Sequence, residues 1–201
     1  MNMELVQLFV ETGLLQFGRF HDSSGVRPFL TNLDYLPAYP EILKLLAVEA
    51  AHRLDGLAAQ RLVASAESVP FGVALALETG LSLVYSRGQG REAVHDLAGA
   101  YNVGHASVLL LNTLETLISL QPFITGARRV GLEIQTVIAV FDAGITPPPV
   151  GLTAHAILTL PAALDGLAAE NALPARQVSA VVKWIAERRA AATHRPGAAA
   201  P

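Results

Sequence analysis

The chain has 201 residues, a net charge of −3, 52% hydrophobic and 15% charged residues, and no cysteine. That length suits one domain with a real core, and a charged fraction below the roughly 25% usual in soluble domains leaves apolar surface for a partner to cover. The composition excludes a disulfide framework and a thiolate nucleophile, and it gives no basic block for nucleic acid. It also gives no stretch of about 20 apolar residues to span a bilayer, every run being cut by Asn112, Glu115, Pro122, Glu133 or Pro147 to Pro149.

Glu4 stands where a secretion signal would carry a basic region, so a cytoplasmic location is the expectation. Leu5, Leu8, Phe9, Leu14 and Leu15 fall near helical spacing and predict an amphipathic helix over 3–16, stopped near Gly18. A loop or strand section follows, and Pro40 then suits the first turn of a helix running to Leu54. A strand is expected at 61–65 and a helix at 70–79, closed by Gly80 where a left-handed turn is often required. Next come a strand at 81–85 and a flexible loop opened by Gly88-Gln-Gly90. The apolar run 107–111 reads as a buried strand, followed by a helix at 120–131 and a strand at 133–141. Glycine and proline punctuate 144–151 before a strand at 154–160, a closing helix at 175–192 and a disordered tail at 193–201. Strands alternating with helices imply crossover units. The expected architecture is a single α/β domain over 1–192, with a mainly parallel five-stranded sheet flanked by helices and a small N-terminal hood.

In such a sheet ligands bind outside the carboxyl ends of the strands, where backbone N–H groups and helix N-termini hold anions. The corner after 107–111 reads Asn112, Thr113, Leu114, Glu115, Thr116, Leu117, Ile118, Ser119, with no glycine and no paired acid. The histidines at 21, 52, 95, 105, 155 and 194 show no His-x-His or His-Glu-x-x-His spacing, so no metal site is expected. Only His95 and His105 lie in the loop region. Glu67 and Glu115 read most simply as solvated carboxylates, and Trp184 as core.

An ordered series of segments resembles the orotate phosphoribosyltransferase family over roughly residues 5–165. It begins with Thr12-Gly-Leu-Leu-Gln-Phe-Gly-Arg-Phe20, Ser24-Gly25, Arg27-Pro28-Phe29, Asn32 and Tyr39-Pro40-Glu41. It continues with Ala74-Leu-Ala-Leu-Glu-Thr-Gly-Leu-Ser-Leu-Val-Tyr-Ser-Arg87, the 107–111 strand, Ile138-Ala-Val-Phe-Asp142 and Leu158-Thr-Leu160. The resemblance implies a type I phosphoribosyltransferase fold, a homodimer, and a donor site for phosphoribosyl pyrophosphate with magnesium.

The chain departs from that pattern at four places. The family ends the donor strand in two acids followed by threonines and glycines; here Asn112 and Thr113 replace the acids, Thr116 and Ser119 keep hydroxyls, and Leu117 and Ile118 stand where the small residues belong. The family's glycine-rich diphosphate turn is 64–69, with Glu67 in it. The family's lysine-bearing loop keeps Arg87 and Arg91 as its only cations, and Ala143 follows Asp142 where relatives carry an arginine. Asn112, Thr113, Thr116, Ser119 and Arg87 are therefore vestigial donor-site positions, with no catalytic residue assigned. Phe20, Ser24, Gly25, Arg27 and Phe29 remain as a base pocket for a small nucleotide or pyrimidine-like ligand. The expected role is binding, regulation or assembly without a cofactor. The alternative is an active orotate phosphoribosyltransferase, converting orotate and phosphoribosyl pyrophosphate to orotidine 5′-monophosphate with magnesium.

Overall fold

The computed structural model describes residues 2–22, 25–88, 96–145 and 147–193. Its elements are α1 (Met3–Glu11), β1 (Leu15–Asp22), β2 (Gly25–Thr31), α2 (Pro40–Leu54), β3 (Arg61–Ala64), α3 (Val69–Thr79), β4 (Ser82–Ser86) and β5 (Leu97–Ala98). They continue as β6 (His105–Thr113), α4 (Gln121–Arg129), β7 (Leu132–Asp142), β8 (Thr153–Thr159), α5 (Leu160–Ala169) and α6 (Ala175–Thr193). Short 3-10 turns occupy Leu33–Ala38, Ala66–Ser68 and Leu114–Leu117. The chain divides into two compact units: Leu33–Phe141 with Pro148–Ile157, and Met1–Asn32 with Asp142–Pro147 and Leu158–Pro201.

The first unit is built on a six-stranded sheet in the order β5-β4-β3-β6-β7-β8. β3 pairs in parallel with β4 and β6, and β6 in parallel with β7. The cause is the apolar run in β6. Val108, Leu109, Leu110 and Leu111 are all buried, and since successive side chains point to opposite faces, both faces of the sheet must be covered. On one face Leu109 and Leu111 join Val63, Val84, Val137, Ala139, Leu117, Ile124 and Ala127 in a single apolar cluster. Close over β3 and β4 lies α3, where a Cβ built at Gly72 would come 3.1 Å from the Ala64 Cβ and from Leu83 Cδ1. Pro40 opens α2 and Gly80 ends α3 at φ +71°, as their sequence positions implied.

The structure departs from the expected elements at three points. α1 stops at Glu11 rather than near Gln16, because Gly13 takes φ +73° and Leu14 and Leu15 are buried in the hairpin instead. Asn32 fixes that break, donating from its backbone N to Leu14 O (3.0 Å) and from Nδ2 to Gly13 O (2.9 Å). A two-residue strand, β5, lies in the region read as loop and pairs antiparallel with β4. Finally, α5 begins at Leu160, which the sequence reading placed in a strand; Leu160, Ala163, Leu164 and Leu167 form its buried face, and Pro161 sits in its first turn.

The second unit holds the antiparallel β1-β2 hairpin, with a register shift between Phe17 and Phe20, together with α1, α5 and α6. α1 packs on α5, where the absence of a side chain at Gly166 leaves room for Met3 Sδ.

Gly131 carries the sharpest backbone requirement in the first unit. Its φ is +98°, and a Cβ there would lie 2.7 Å from the Val103 Cα, a backbone atom that cannot rotate away. Gly131→Ala is expected to destabilise by about 2–4 kcal/mol, strain and overpacking together. Gly56→Ala, at φ +81° with nothing within 4 Å, should cost only about 1–2 kcal/mol. Paired thermal melts check the difference; equal losses would contradict the close approach.

Candidate functional site

At the carboxyl ends of β3, β4 and β6 the first unit has a cleft of about 940 Å³. Its polar wall includes Ser65, Glu67, Ser86, Asp96, Thr116, Ser119 and Thr125; Leu120, Pro122, Phe123 and Val130 supply its apolar wall, and Arg129 is the only cation lining it among the described residues. Of the expected donor-site positions, Thr116 and Ser119 line this cleft. Asn112, Thr113 and Arg87 do not.

Each difference has a local cause. Asn112, at the end of β6, is buried, and its Nδ2 donates to the Glu67 carbonyl at 3.1 Å. The amide thus ties the end of β6 to the turn after β3. Ser68 makes a second tie: its hydroxyl, fully buried, lies 2.6 Å from Leu110 O, 3.1 Å from Ser65 O and 2.8 Å from Ser65 Oγ. One hydroxyl has one proton, so the shortest contact takes it and Ser65 Oγ donates in turn to Ser68 Oγ.

The segment read as a vestigial donor loop is a 3-10 turn over Leu114–Leu117. Leu117 is 2% exposed and belongs to the apolar cluster under the sheet, whereas Ile118 is 58% exposed and in right-handed helical conformation at φ −67°, ψ −45°. The hydroxyls turn inward on the chain. Thr116 Oγ1 donates to Thr113 O at 2.8 Å and Ser119 Oγ to Thr116 O at 2.7 Å. The following N–H groups are committed too, Leu120 N to Thr116 O (3.1 Å) and Gln121 N to Ile118 O (3.3 Å). A backbone anion nest alternates right- and left-handed residues; among the described residues positive φ occurs only at glycines and Asn171, so none falls in 112–119.

Beyond β4, Arg87 is exposed, and its backbone N donates to Asp96 O at 3.0 Å. Asp96, 4% exposed, accepts a hydrogen bond from Ser86 Oγ, which in turn accepts from Gly88 N at 3.0 Å. The sequence reading missed Asp96 and Arg129 as cleft residues. Asp96 stands in no motif, and only the antiparallel return of β5 brings it beside Ser86; Arg129 lines the cleft from the last turn of α4. His105 Nδ1 accepts from Asn102 N at 3.1 Å, an ordinary turn contact; His95 and residues 89–91 lie outside the described residues.

The expected base-pocket residues belong to the other unit. Ser24 lies outside the described residues. Gly25 starts β2 at φ +116°, and Phe20 is half-buried in β1. Phe29 is fully buried, with its ring 5.3 Å from and perpendicular to that of Trp184 on α6. Arg27 lays its guanidinium 4.7 Å from the Phe29 centroid and 5.6 Å from that of Trp184, and Arg188 stacks on Trp184 at 5.2 Å. Such stacking is worth about 0.5–2 kcal/mol per pair, so Arg27 and Phe29 help to hold β2 to α6.

Among the described residues no three His, Asp or Glu side chains converge as metal ligands. An amide that donates to a carbonyl, and hydroxyls spent on their own turn, do not fit a magnesium diphosphate at the end of β6.

No family model and no curated protein matches the sequence. Solved structures do. UMP synthase from Leishmania donovani superimposes with a TM-score of 0.79 at 25% identity, over 92% of this chain. The orotate phosphoribosyltransferase of Francisella tularensis gives 0.74 at 14% identity, over 92% of this chain and 98% of its own. The chain has the orotate phosphoribosyltransferase form of the type I phosphoribosyltransferase fold. The orotate phosphoribosyltransferase of Aeropyrum pernix agrees, at TM-score 0.62 and 19% identity over 82% of this chain and 98% of its own. This chain spans 42% of the Leishmania UMP synthase. Among the described residues no helix is long and apolar enough to cross a membrane.

Proposed function

We propose that this protein does not transfer phosphoribosyl groups from phosphoribosyl pyrophosphate and acts instead as a cytoplasmic, homodimeric binding, regulatory or assembly protein. The observation that carries this reading is the Leu114–Leu117 turn, where Leu117 is anchored in the core and Thr116 and Ser119 donate to their own backbone. An anion entering there would have to break those bonds and extract Leu117, at about 2–3 kcal/mol for the side chain alone. Glu67 adds a negative charge to the cleft wall. What favours the alternative, an active transferase with an altered site, is the cleft itself, which is large and has Arg129 on its wall.

Calorimetric titration with phosphoribosyl pyrophosphate and magnesium separates the two. The proposal expects no saturable heat at millimolar concentrations, and the alternative expects micromolar binding. A pyrimidine-like ligand near Arg27 and Phe29 would be read separately through Trp184, the only tryptophan, as a saturable change in its fluorescence.

A further inference from the structure

We infer that Asp55-Gly56 is a site of spontaneous backbone modification, where the aspartate converts through a cyclic imide to isoaspartate. This goes beyond the proposed function and does not depend on it. The hexapeptide Leu-Asp-Gly-Leu-Ala-Ala occurs twice in the chain, at 54–59 and at 164–169. Local sequence therefore cannot distinguish the two, and the fold alone decides which one reacts. Both aspartates are exposed. The second copy lies inside α5, whose buried face includes Leu164 and Leu167; there the Gly166 N–H is spent on the helix ladder, and Met3 lies over Gly166. The first copy leaves α2 at Leu54, and Leu57 is 37% exposed, so no burial draws the helix onward.

At 55–56 the backbone has the form of a type II turn, with Asp55 at φ −57°, ψ 124° and Gly56 at φ +81°. Its hydrogen bond runs from Leu57 N to Leu54 O at 2.9 Å and makes no use of the N–H of Gly56, which is exposed. Nothing lies within 4 Å of a Cβ built at Gly56, so a ring has space to form. In the reaction Gly56 N bonds to Asp55 Cγ, while a carboxyl oxygen leaves with the amide proton and the carboxyl proton as water. A second water opens the ring. Attack at Cγ restores aspartate; attack at the Asp55 main-chain carbonyl leaves Gly56 joined through Cγ, with an extra methylene in the backbone and a free α-carboxylate. Water is the only co-reactant. Ring closure requires Asp55 ψ to rotate away from 124° until the amide nitrogen reaches the side chain. In the turn that rotation gives up a single exposed hydrogen bond, whereas at Asp165 it breaks a helix whose apolar face is buried. Glycine, with no side chain, hinders the attacking nitrogen least.

Peptide mapping of the full chain, held folded for weeks in neutral buffer, tests this. Trypsin releases peptides 54–61 and 130–176, and isoaspartate at position 55 or 165 is read as resistance to an endoprotease that cuts before aspartate. Conversion is expected at 55 at least about ten times faster than at 165, the ratio that a difference of about 1.4 kcal/mol in opening produces. In chain unfolded with guanidinium the two rates should converge, because the six residues are the same. Equal rates in the folded protein, or faster conversion at 165, would overturn the assignment. So would a folded rate at 55 more than about tenfold below the unfolded one, since the turn would then be holding the amide away from the side chain.

Discussion

Mixed with orotate, phosphoribosyl pyrophosphate and magnesium, the protein is expected to form orotidine 5′-monophosphate at no more than the uncatalysed rate, followed by the ultraviolet change as the orotate ring is substituted. Charge-assisted hydrogen bonds contribute about 1.5–3 kcal/mol each. At four places where the resemblance implies anion contacts the chain departs from the family pattern together: at Asn112–Thr113, at Glu67, in the loop after Arg87 and at Ala143. Their combined absence corresponds to about 6–12 kcal/mol, or roughly four to nine orders of magnitude in transition-state stabilisation. A single replacement could be offset by a neighbour. Here the surrounding groups are committed elsewhere: Thr116 and Ser119 to their own turn, and Asn112 to Glu67 O. Turnover above background that disappears in Arg87→Ala would contradict the proposed function.

The second large effect is expected from restoring an acid at the end of β6. In Asn112→Asp the introduced carboxylate cannot donate to Glu67 O, so a buried negative charge faces a carbonyl oxygen where an amide donor stood. We expect a loss of about 2–4 kcal/mol at neutral pH and no gain in phosphoribosyl pyrophosphate binding. Asn112→Ala, which leaves only the carbonyl unpaired, should lose about 1–3 kcal/mol. The two variants also differ in their response to pH. When protonated, the introduced carboxyl can donate to Glu67 O, so its folded-state pKa lies above the value of about 3.9 it has in the unfolded chain. The unfolded state then binds fewer protons above that value, and stability falls as pH rises from about 4. Denaturant melts of the two variants from pH 4 upward check this. A penalty in Asn112→Asp that does not grow with pH would mean that the carboxyl finds another partner.

The sheet was legible because its strands are dense apolar runs bounded by glycine or proline, and because burial on both faces leaves a parallel arrangement as the consistent one. Gly80 and Pro40 were legible for the same local reason: each occupies a helix terminus where its backbone geometry is needed. The start of α5 was not legible because Leu160 closes an apolar run continuous with β8. The signal was nonetheless present in Thr159 ahead of Pro161, followed by Leu160, Ala163, Leu164 and Leu167 at helical spacing. For the candidate site, the sequence disclosed which residues were missing and not what the replacements do. That Asn112 ties two turns together, or that Arg27 and Phe29 stack on Trp184 more than 150 residues away, depends on tertiary contacts to which no local pattern points.

In the proposed function the corner after β6 is closed to a donor phosphate by the protein's own hydrogen bonds and by the anchoring of Leu117. Crystals soaked with ribose 5-phosphate and magnesium test it most directly. The expected result is an empty corner, with Thr116 Oγ1 still on Thr113 O and Ser119 Oγ still on Thr116 O. An ordered phosphate held by the N–H groups of residues 116–119 would contradict it.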